Sequence, residues 1–338
     1  MAVTSLLVAA LIWFLYQPDI PRTVLKEKYA SDKSKFIDID GLQVHFRDDT
    51  SNKDNLSNAT KGDSNNNTNK DKASASASMD TNTDSLRLPL LLIHGTSSSL
   101  HTWDACTELL KDQYRIIRFD LPGFGLTGPN ADNDYSIDNY VFFVSEFLNK
   151  MGVKRCHIAG NSLGGNIAWR FAEKYPQQVG KLILLNSAGY PIERAKGSLG
   201  FNIAQTPIVN NIMKFITPRS LVQKSLFDAY ADDTKVSDAL VERYHTMACA
   251  EGSRAALIRR FQYPREDRYE LVKNVQTPTL IIWGDQDQLI PAVNAQRFAQ
   301  DLPNDTLVIL KQMGHVPMEE APEVVAKYMS DFLKKMSK

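Results

Sequence analysis

The chain has 338 residues, with 39 basic and 39 acidic side chains and no net formal charge. This balance gives no indication of a nucleic-acid or polyanion partner, and the length allows one large α/β domain or two smaller ones with ample core. The three cysteines are scattered without a C-x-x-C pair, so neither a disulfide framework nor a zinc site is indicated; they are Cys106, Cys156 and Cys249.

Residues 2–16 form an almost unbroken apolar run. As a helix this run reaches roughly 22 Å, short of the ~30 Å hydrocarbon core of a bilayer. It has neither a preceding Lys or Arg nor a clear small-residue cleavage site, so it is a poor secretory signal. We interpret residues 1–17 as an anchor that makes the protein membrane-associated. An atypical signal peptide of a secreted or periplasmic protein, or a helix packed on the domain, are the alternatives.

The next segment has the pattern of a hairpin. Apolar residues alternate over 36–46 around Asp40-Gly41, which indicates two antiparallel strands. Residues 48–85 are then dominated by Asn, Ser, Thr, Asp and Lys, with too few apolar side chains to offset the entropy of ordering. We therefore predict a disordered surface insertion at 48–85, inside the first part of a core that spans residues 30–189.

Strands and helices alternate from residue 88 onwards, with one interruption. Continuous apolar strands are predicted, with helices between them, at 88–94, 114–120, 153–159, 181–186, 279–283 and 306–310. This alternation predicts an α/β fold with a doubly wound parallel sheet. Residues 190–269 have a helical pattern without a strand, which indicates an insertion over the sheet, and residues 270–338 return to the core.

A sharp turn between a predicted strand and a predicted helix holds the candidate nucleophile. It reads Gly160-Asn161-Ser162-Leu163-Gly164, a G-x-S-x-G pattern. Such a turn forces its central residue into strained backbone geometry, and the two glycines leave room for the chain that comes close. The hydroxyl of Ser162 would then lie at the N-terminus of a helix, where backbone N–H groups favour negative charge.

A serine nucleophile needs a base, and the base needs a third group to fix its tautomer. In an open α/β sheet both come from loops at the carboxyl ends of strands. Of the six histidines, His315 fits best; His94 also ends a strand, but the following Gly95 indicates a structural place beside the turn. Asp285 and Asp287 both qualify as the acid. We predict Asp287, which lies further along the loop, and expect Asp285 to bond turn backbone.

Acyl transfer also requires two donors for the oxyanion that forms in the transition state. One donor is the N–H of the residue after the nucleophile, here Leu163. The other should come from the turn after the His94-Gly95 strand end, and we predict Thr96.

Together these segments resemble the α/β-hydrolase superfamily. The matching motifs occur in family order and are His94-Gly95-Thr96, Asp120-Leu121-Pro122-Gly123-Phe124-Gly125, Gly160-Asn161-Ser162-Leu163-Gly164, Trp283-Gly284-Asp285-Gln286-Asp287 and Gly314-His315-Val316-Pro317. The resemblance implies a mostly parallel eight-stranded sheet flanked by helices, with a helical cap at 190–269 inserted after the sixth strand. It also implies a triad of Ser162, Asp287 and His315 and no cofactor.

Within the superfamily, the apolar N-terminus and residues 94–103 are similar to cell-associated bacterial lipases and esterases of the Moraxella type. The polar insertion at 48–85 departs from that pattern. We therefore expect a carboxylic-ester hydrolase that acts on a small-molecule or lipid ester through an acyl-enzyme intermediate. Dehalogenases and epoxide hydrolases of this fold use a carboxylate nucleophile, so Ser162 argues against both.

Two other functions remain as hypotheses. Gly-Asn-Ser-x-Gly-Gly also resembles carbon–carbon bond hydrolases of ring-cleavage diketones, which use the same triad. Those enzymes tend to carry further glycines after His-Gly, where this chain has Thr96-Ser97-Ser98. A non-catalytic binding protein that kept the fold is the third hypothesis, and the complete set of five motifs disfavours it.

Overall fold

The computed structural model describes residues 16–49, 88–192, 206, 214–263 and 268–335. Eight strands form one sheet in the order β1-β2-β4-β3-β5-β6-β7-β8. The strands are β1 Lys35–Ile39, β2 Leu42–Asp49, β3 Leu90–Ile93, β4 Ile116–Phe119, β5 Cys156–Asn161, β6 Val179–Leu185, β7 Thr279–Gly284 and β8 Asp305–Leu310. The pairs β1–β2 and β2–β4 are antiparallel and all other neighbours are parallel, so the predicted mostly parallel eight-stranded sheet is confirmed.

The described residues also form α-helices between and after these strands. They are α1 Arg22–Tyr29, α2 Asp104–Leu110, α3 Ile137–Lys150, α4 Leu163–Lys174, α5 Arg219–Ala229, α6 Asp238–Ala248, α7 Ser253–Gln262, α8 Val293–Asp301, α9 Pro317–Glu320 and α10 Pro322–Lys334. Short 3-10 helices lie at Leu100–Trp103, Pro176–Gln178, Asp233–Lys235 and Tyr269–Asn274. Strands β3, β4, β5 and β7 are buried along their whole length and β6 is buried except at Gly180, because helices cover both faces of a parallel sheet.

The hairpin that precedes the parallel strands forms at the predicted turn. Ile39 pairs with Leu42 across a two-residue loop. Both loop residues have positive φ, 50° at Asp40 and 84° at Gly41, which is the conformation of a type I′ turn. The Asp-Gly signal therefore fixed the register of β1 against β2.

Strand β2 continues three residues beyond the predicted hairpin and two residues into the predicted insertion. Asp48 and Asp49 belong to the strand, although composition placed both in an insertion at 48–85. Asp48 binds Arg115 at 2.7 Å, and Asp49 binds the buried Arg118 at 3.2 Å. These ion pairs neutralise the two carboxylates. Both residues can therefore belong to a strand, although the polar composition of this segment predicted none. The rest of the predicted insertion lies outside the described residues.

Residues 16–29 pack on the domain, ahead of the predicted core boundary at residue 30. Leu25 is buried against Leu126, Met247 and Ala250, and Ile20 forms a parallel bridge with Ala250. The predicted anchor at 1–17 lies outside the described residues except for its last two. No helix in the described part of the chain is long and apolar enough to cross a membrane.

Helices α5, α6 and α7 lie between β6 and β7, where the sequence predicted a helical insertion at 190–269. The described residues of that range contain no strand. Residues 193–205, 207–213 and 264–267 lie outside the described part of it. The three helices form the described part of the cap, which is the name we keep for them.

Asp48 and Asp49, at the end of β2, allow the loss of an ion pair to an exposed arginine to be compared with the loss of one to a buried arginine. We expect Asp49→Ala to lower the free energy of unfolding by about 3 kcal/mol, because it leaves the buried charge of Arg118 with one carboxylate fewer. Asp48→Ala should cost less than ~1 kcal/mol, because its partner Arg115 is 38% exposed. Urea denaturation of both variants measures the difference, and equal losses would contradict this account.

Candidate active site

Ser162 occupies a strained turn between β5 and α4. Its backbone angles are φ 55° and ψ −116°, outside the regions that a serine normally occupies. The turn is tight enough that a side-chain carbon at Gly160 would lie 2.2 Å from the carbonyl oxygen of Gly164. One at Gly164 would lie 2.3 Å from the carbonyl oxygen of Ile93. Only glycine fits either position, as the G-x-S-x-G pattern predicted.

The end of β3 lies directly beside this turn. A side-chain carbon at Gly95 would lie 3.1 Å from Cβ of Ser162. Thr96, the next residue, lines the same cavity as Ser162. Leu163 is the first residue of α4, so its N–H is one of those that no carbonyl within the helix can accept. Thr96 therefore shares a cavity with Ser162, and Leu163 follows the serine directly; their roles as oxyanion donors stay predictions.

His315 and Asp287 form a buried pair. His315 Nδ1 lies 2.8 Å from Asp287 Oδ2, and each residue is 6% exposed. Asp287 Oδ2 also accepts from Asn186 Nδ2 at 2.7 Å, while Oδ1 accepts from the N–H groups of Leu289 and Ile290 at 2.8 and 2.9 Å. Four bonds therefore fix the carboxylate, and Nε2 is the nitrogen of His315 that remains for other chemistry.

Asp285 occupies a different position in the same loop. Its side chain accepts from the N–H of Gln312 at 2.8 Å and pairs with Lys311 at 3.3 Å, without a bond to His315 among its contacts. Asp285 therefore bonds the backbone of a turn, as its position in the loop predicted.

Two asparagines fasten the His315 loop to the strand ends beside it. Asn161, next to the serine, donates from Nδ2 to the carbonyl oxygen of His315 at 2.9 Å. Asn186, just after β6, donates to the carbonyl oxygen of Gly314 at 3.2 Å. Neither residue was predicted from the sequence to take part in the site. The signal available for Asn161 was its place inside the motif, and for Asn186 its place at the end of a predicted strand.

A buried glutamate joins the same loop to the cap. Glu320 accepts from the N–H of Gly314 at 2.8 Å through Oε1 and from the N–H of Ala231 at 2.9 Å through Oε2. Burial raises the pKa of Glu320, and these N–H groups oppose that effect. The N–H of His315 donates to the carbonyl oxygen of Ala229 at the end of α5. Glu320 was not predicted from the sequence, although the acidic pair Glu319-Glu320 in an apolar stretch is a visible signal.

Two other histidines are held in structural bonds. His94 bonds the carbonyl oxygen of Gly95 through Nδ1 at 2.7 Å and accepts from the N–H of Leu121 through Nε2 at 2.9 Å. Burial lowers the pKa of His94, which keeps the ring neutral as this acceptor role requires. His45 lies 2.8 Å from the buried Asp120. The predicted structural place of His94 is thus confirmed.

A cavity of about 890 Å³, measured out to its mouth, separates the sheet edge from the cap. We call it the catalytic cavity. Its sheet side is formed by Gly95, Thr96, Asn161, Ser162 and His315. Its cap side is mostly apolar and includes Leu221, Val222, Leu226, Ala229, Tyr244 and Leu257. No Lys or Arg belongs to the described part of this lining.

Comparison with known proteins places this architecture in a family. The α/β-hydrolase fold model matches residues 89–322. The chain is 30% identical to a hydrolase of Bacillus subtilis named YugF, over 73% of the chain and 90% of that protein. It is 27% identical to Lipase 3 of Moraxella sp., over 73% of the chain and 78% of the lipase.

Two further similar proteins have names that indicate different activities from each other. The chain is 29% identical to a 2-hydroxymuconate semialdehyde hydrolase of Pseudomonas putida, over 72% of the chain and 86% of that enzyme. A crystal structure of a bacterial membrane phospholipase A superposes with a TM-score of 0.71 at 25% identity, covering 98% of this chain and 96% of the phospholipase. The chain therefore belongs to the α/β-hydrolase fold family and is a lipase-like hydrolase.

Proposed function

We propose that this protein is a carboxylic-ester hydrolase, an esterase or lipase that acts through Ser162, His315 and Asp287. The observation that carries the proposal is the buried bond between His315 and Asp287, in the wall of the cavity that also contains the strained turn of Ser162. A nucleophile, a base and a group that orients the base are the three parts that acyl transfer requires.

The proposed reaction has two halves. Ser162 Oγ attacks the ester carbonyl carbon while His315 Nε2 takes the hydroxyl proton, and the acyl–Oγ bond forms. His315 then returns that proton to the leaving alkoxide oxygen as the ester C–O bond breaks. In the second half, water gives a proton to His315 Nε2 as its oxygen attacks the acyl carbon. The acyl–Oγ bond then breaks and His315 returns the proton to Ser162 Oγ, which releases the acid and restores the enzyme. Asp287 holds the ring in the required tautomer and stabilises its cationic form.

The oxyanion formed in each half needs preorganised donors. We assign this role to the backbone N–H groups of Leu163 and Thr96, on the two sides of the Ser162 turn. Each such donor is typically worth about 10²–10³ in rate. Leu163 gains additionally from the positive end of the dipole of α4.

The catalytic cavity favours an ester over a ring-cleavage diketone, the alternative reaction. The muconate substrate in the name of the Pseudomonas putida relative is a carboxylate. A buried carboxylate needs a cation or several N–H donors to replace its water. The described lining here offers neither Lys nor Arg, whereas an uncharged ester needs neither. The lipase and phospholipase similarities support a lipid ester as the substrate class.

The deciding experiment compares p-nitrophenyl esters, from acetate to hexadecanoate, with a ring-cleavage diketone on the wild type and Ser162→Ala. We expect ester hydrolysis by the wild type and a loss of about 10⁴-fold or more in Ser162→Ala, with an unchanged melting temperature. Turnover of the diketone alone would replace this proposal with the alternative reaction, and near-wild-type activity of the variant would exclude Ser162 as the nucleophile.

The two loop aspartates test the assignment of the acid. We expect Asp287→Asn to lower kcat by about 10⁴-fold, because an amide at this position favours the wrong tautomer of His315. Asp285→Asn is the matched control and should change kcat by less than about threefold, since its bonds go to Gln312 and Lys311. A larger loss in the control would reassign the acid to Asp285.

We also propose that residues 2–16 associate the protein with a membrane. Tyr16, at the end of the apolar run, is 50% exposed and stacks on Phe215, which is 52% exposed, with ring centroids 6.3 Å apart. Exposed aromatic rings beside an apolar segment suit the membrane interface. We expect the full chain to sediment with phosphatidylglycerol vesicles and a chain lacking residues 2–14 to stay in the supernatant. Equal sedimentation would refute the role of this segment.

A further inference from the structure

One carboxylate lies between the His315 loop and the cap, and the proposed reaction does not use it. Glu319 is the fourth residue after His315, in α9, and its side chain is 8% exposed. Its Oε1 accepts from Nη2 of Arg243 at 2.9 Å, and its Oε2 accepts from the hydroxyl of Tyr230. Arg243 belongs to α6 and Tyr230 follows α5, so Glu319 binds the cap at two points.

A third bond to Glu319 leads towards the other side of Ser162. The hydroxyl of Tyr244 donates to Glu319 Oε1 at 3.2 Å and lies 3.3 Å from Oγ of Ser98. Burial raises the pKa of Tyr244, so its hydroxyl keeps its proton. A hydroxyl has one proton and a carboxylate paired with an arginine only accepts, so the oxygen of Tyr244 must accept from Ser98. The hydrogen bonds therefore run from Ser98 through Tyr244 to Glu319.

Ser98 ends the turn that contains the proposed oxyanion donor Thr96. The N–H of Ser98 donates to the carbonyl oxygen of Gly95 at 3.3 Å, which closes a four-residue turn. The third residue of this turn, Ser97, has φ 59°. A turn with positive φ at this position normally has Gly there, because a side chain disfavours that conformation. The turn is therefore strained, and it keeps its shape because its surroundings hold it.

The two ends of this turn are held by different parts of the molecule. Gly95 lies against the nucleophile turn, where a side-chain carbon would be 3.1 Å from Cβ of Ser162. At the other end, Oγ of Ser98 bonds the hydroxyl of Tyr244, a residue of the cap helix α6. Loss of the second contact would let the strained residue between them relax, and the N–H of Thr96 would move with it.

We propose that Tyr244 is a positioning residue for the oxyanion donor. Its hydroxyl, itself fixed by Glu319, holds the strained turn 95–98 in the conformation that directs the N–H of Thr96 towards the oxyanion. The inference rests on the proposed ester hydrolysis and on Thr96 as the second donor. It makes that donor dependent on a cap helix and on a carboxylate four residues after the proposed base, His315. The base and the donor thus share one point of support.

The test removes the two hydroxyl groups singly and together. Wild type, Tyr244→Phe, Ser98→Ala and the double variant are compared in kcat and KM for p-nitrophenyl butyrate. Tyr244→Phe keeps the ring that lines the catalytic cavity, so KM should change by less than about twofold while kcat falls by about tenfold or more. Ser98→Ala should give a similar loss. The double variant should lose no more than either single one, because both changes break the same bond.

Tyr263→Phe is the matched control. The hydroxyl of Tyr263 donates to the carbonyl oxygen of Asn133 at 3.2 Å, and the residue lies outside the described lining of the catalytic cavity. Neither kcat nor KM should change by more than about twofold in this variant. Melting temperatures of all variants show whether a loss of kcat comes from unfolding. If Tyr244→Phe fails to fold, Ser98→Ala decides the question by the same criterion.

Two results would overturn the assignment. A raised KM with an unchanged kcat would make Tyr244 a contact of the substrate, and losses that multiply in the double variant would show that the two hydroxyls act separately. The proposed function fails by a different result, a wild type that hydrolyses no ester. The same proteins are then compared on the ring-cleavage diketone, whose ketone oxygen also becomes an oxyanion when the carbonyl carbon is attacked. A wild type that is inactive on both substrates refutes the positioning role as well.

Discussion

The close approach of three backbone segments at Ser162 is the constraint on which the site depends. The end of β5, the first turn of α4 and the end of β3 come together so tightly that Gly160 and Gly164 have no room for a side chain. The sheet holds Ser162 in a conformation that costs on the order of 1–3 kcal/mol by itself. Central parallel strands, each buried along its length, supply the rigidity that keeps this strain in place.

The rest of the site is fastened to the same sheet edge through bonds to backbone. Asn161 and Asn186 hold the His315 loop from two adjacent strand ends, and the N–H groups of Leu289 and Ile290 hold Asp287. Buried polar groups of this kind rigidify a structure when all partners are present. His315 is therefore oriented by groups at the sheet edge, outside its own loop, in addition to its contacts with the cap.

Local sequence patterns were sufficient to predict the parts of the fold that are determined locally. The Asp40-Gly41 turn, the order of the strands along the chain and the choice of Asp287 over Asp285 all followed from turn chemistry and strand ends. The structure places these residues as expected, while their catalytic roles stay predictions.

What the sequence did not reveal depends on partners far along the chain. The bond from Asn161 joins a residue 154 positions away, and the partner of Asp49 lies 69 positions away. Composition therefore assigned Asp48 and Asp49 to an insertion, although Arg115 and Arg118 place them in a strand. Residues 16–29 were missed for the same reason, since their partners Leu126, Met247 and Ala250 are identified only by the fold.

The packing of residues 16–29 on the cap has a thermodynamic consequence. Ile20 bridges to Ala250, and Arg254 of α7 binds Asp19, so this segment and the cap helices are ordered against each other. The catalytic cavity is lined by Ala248 of α6 and Leu257 of α7, which belong to these helices. Free-energy coupling between two binding events is reciprocal. Any effect of a ligand in the catalytic cavity on the docking of residues 16–29 must therefore be matched by an equal effect of that docking on the affinity for the ligand.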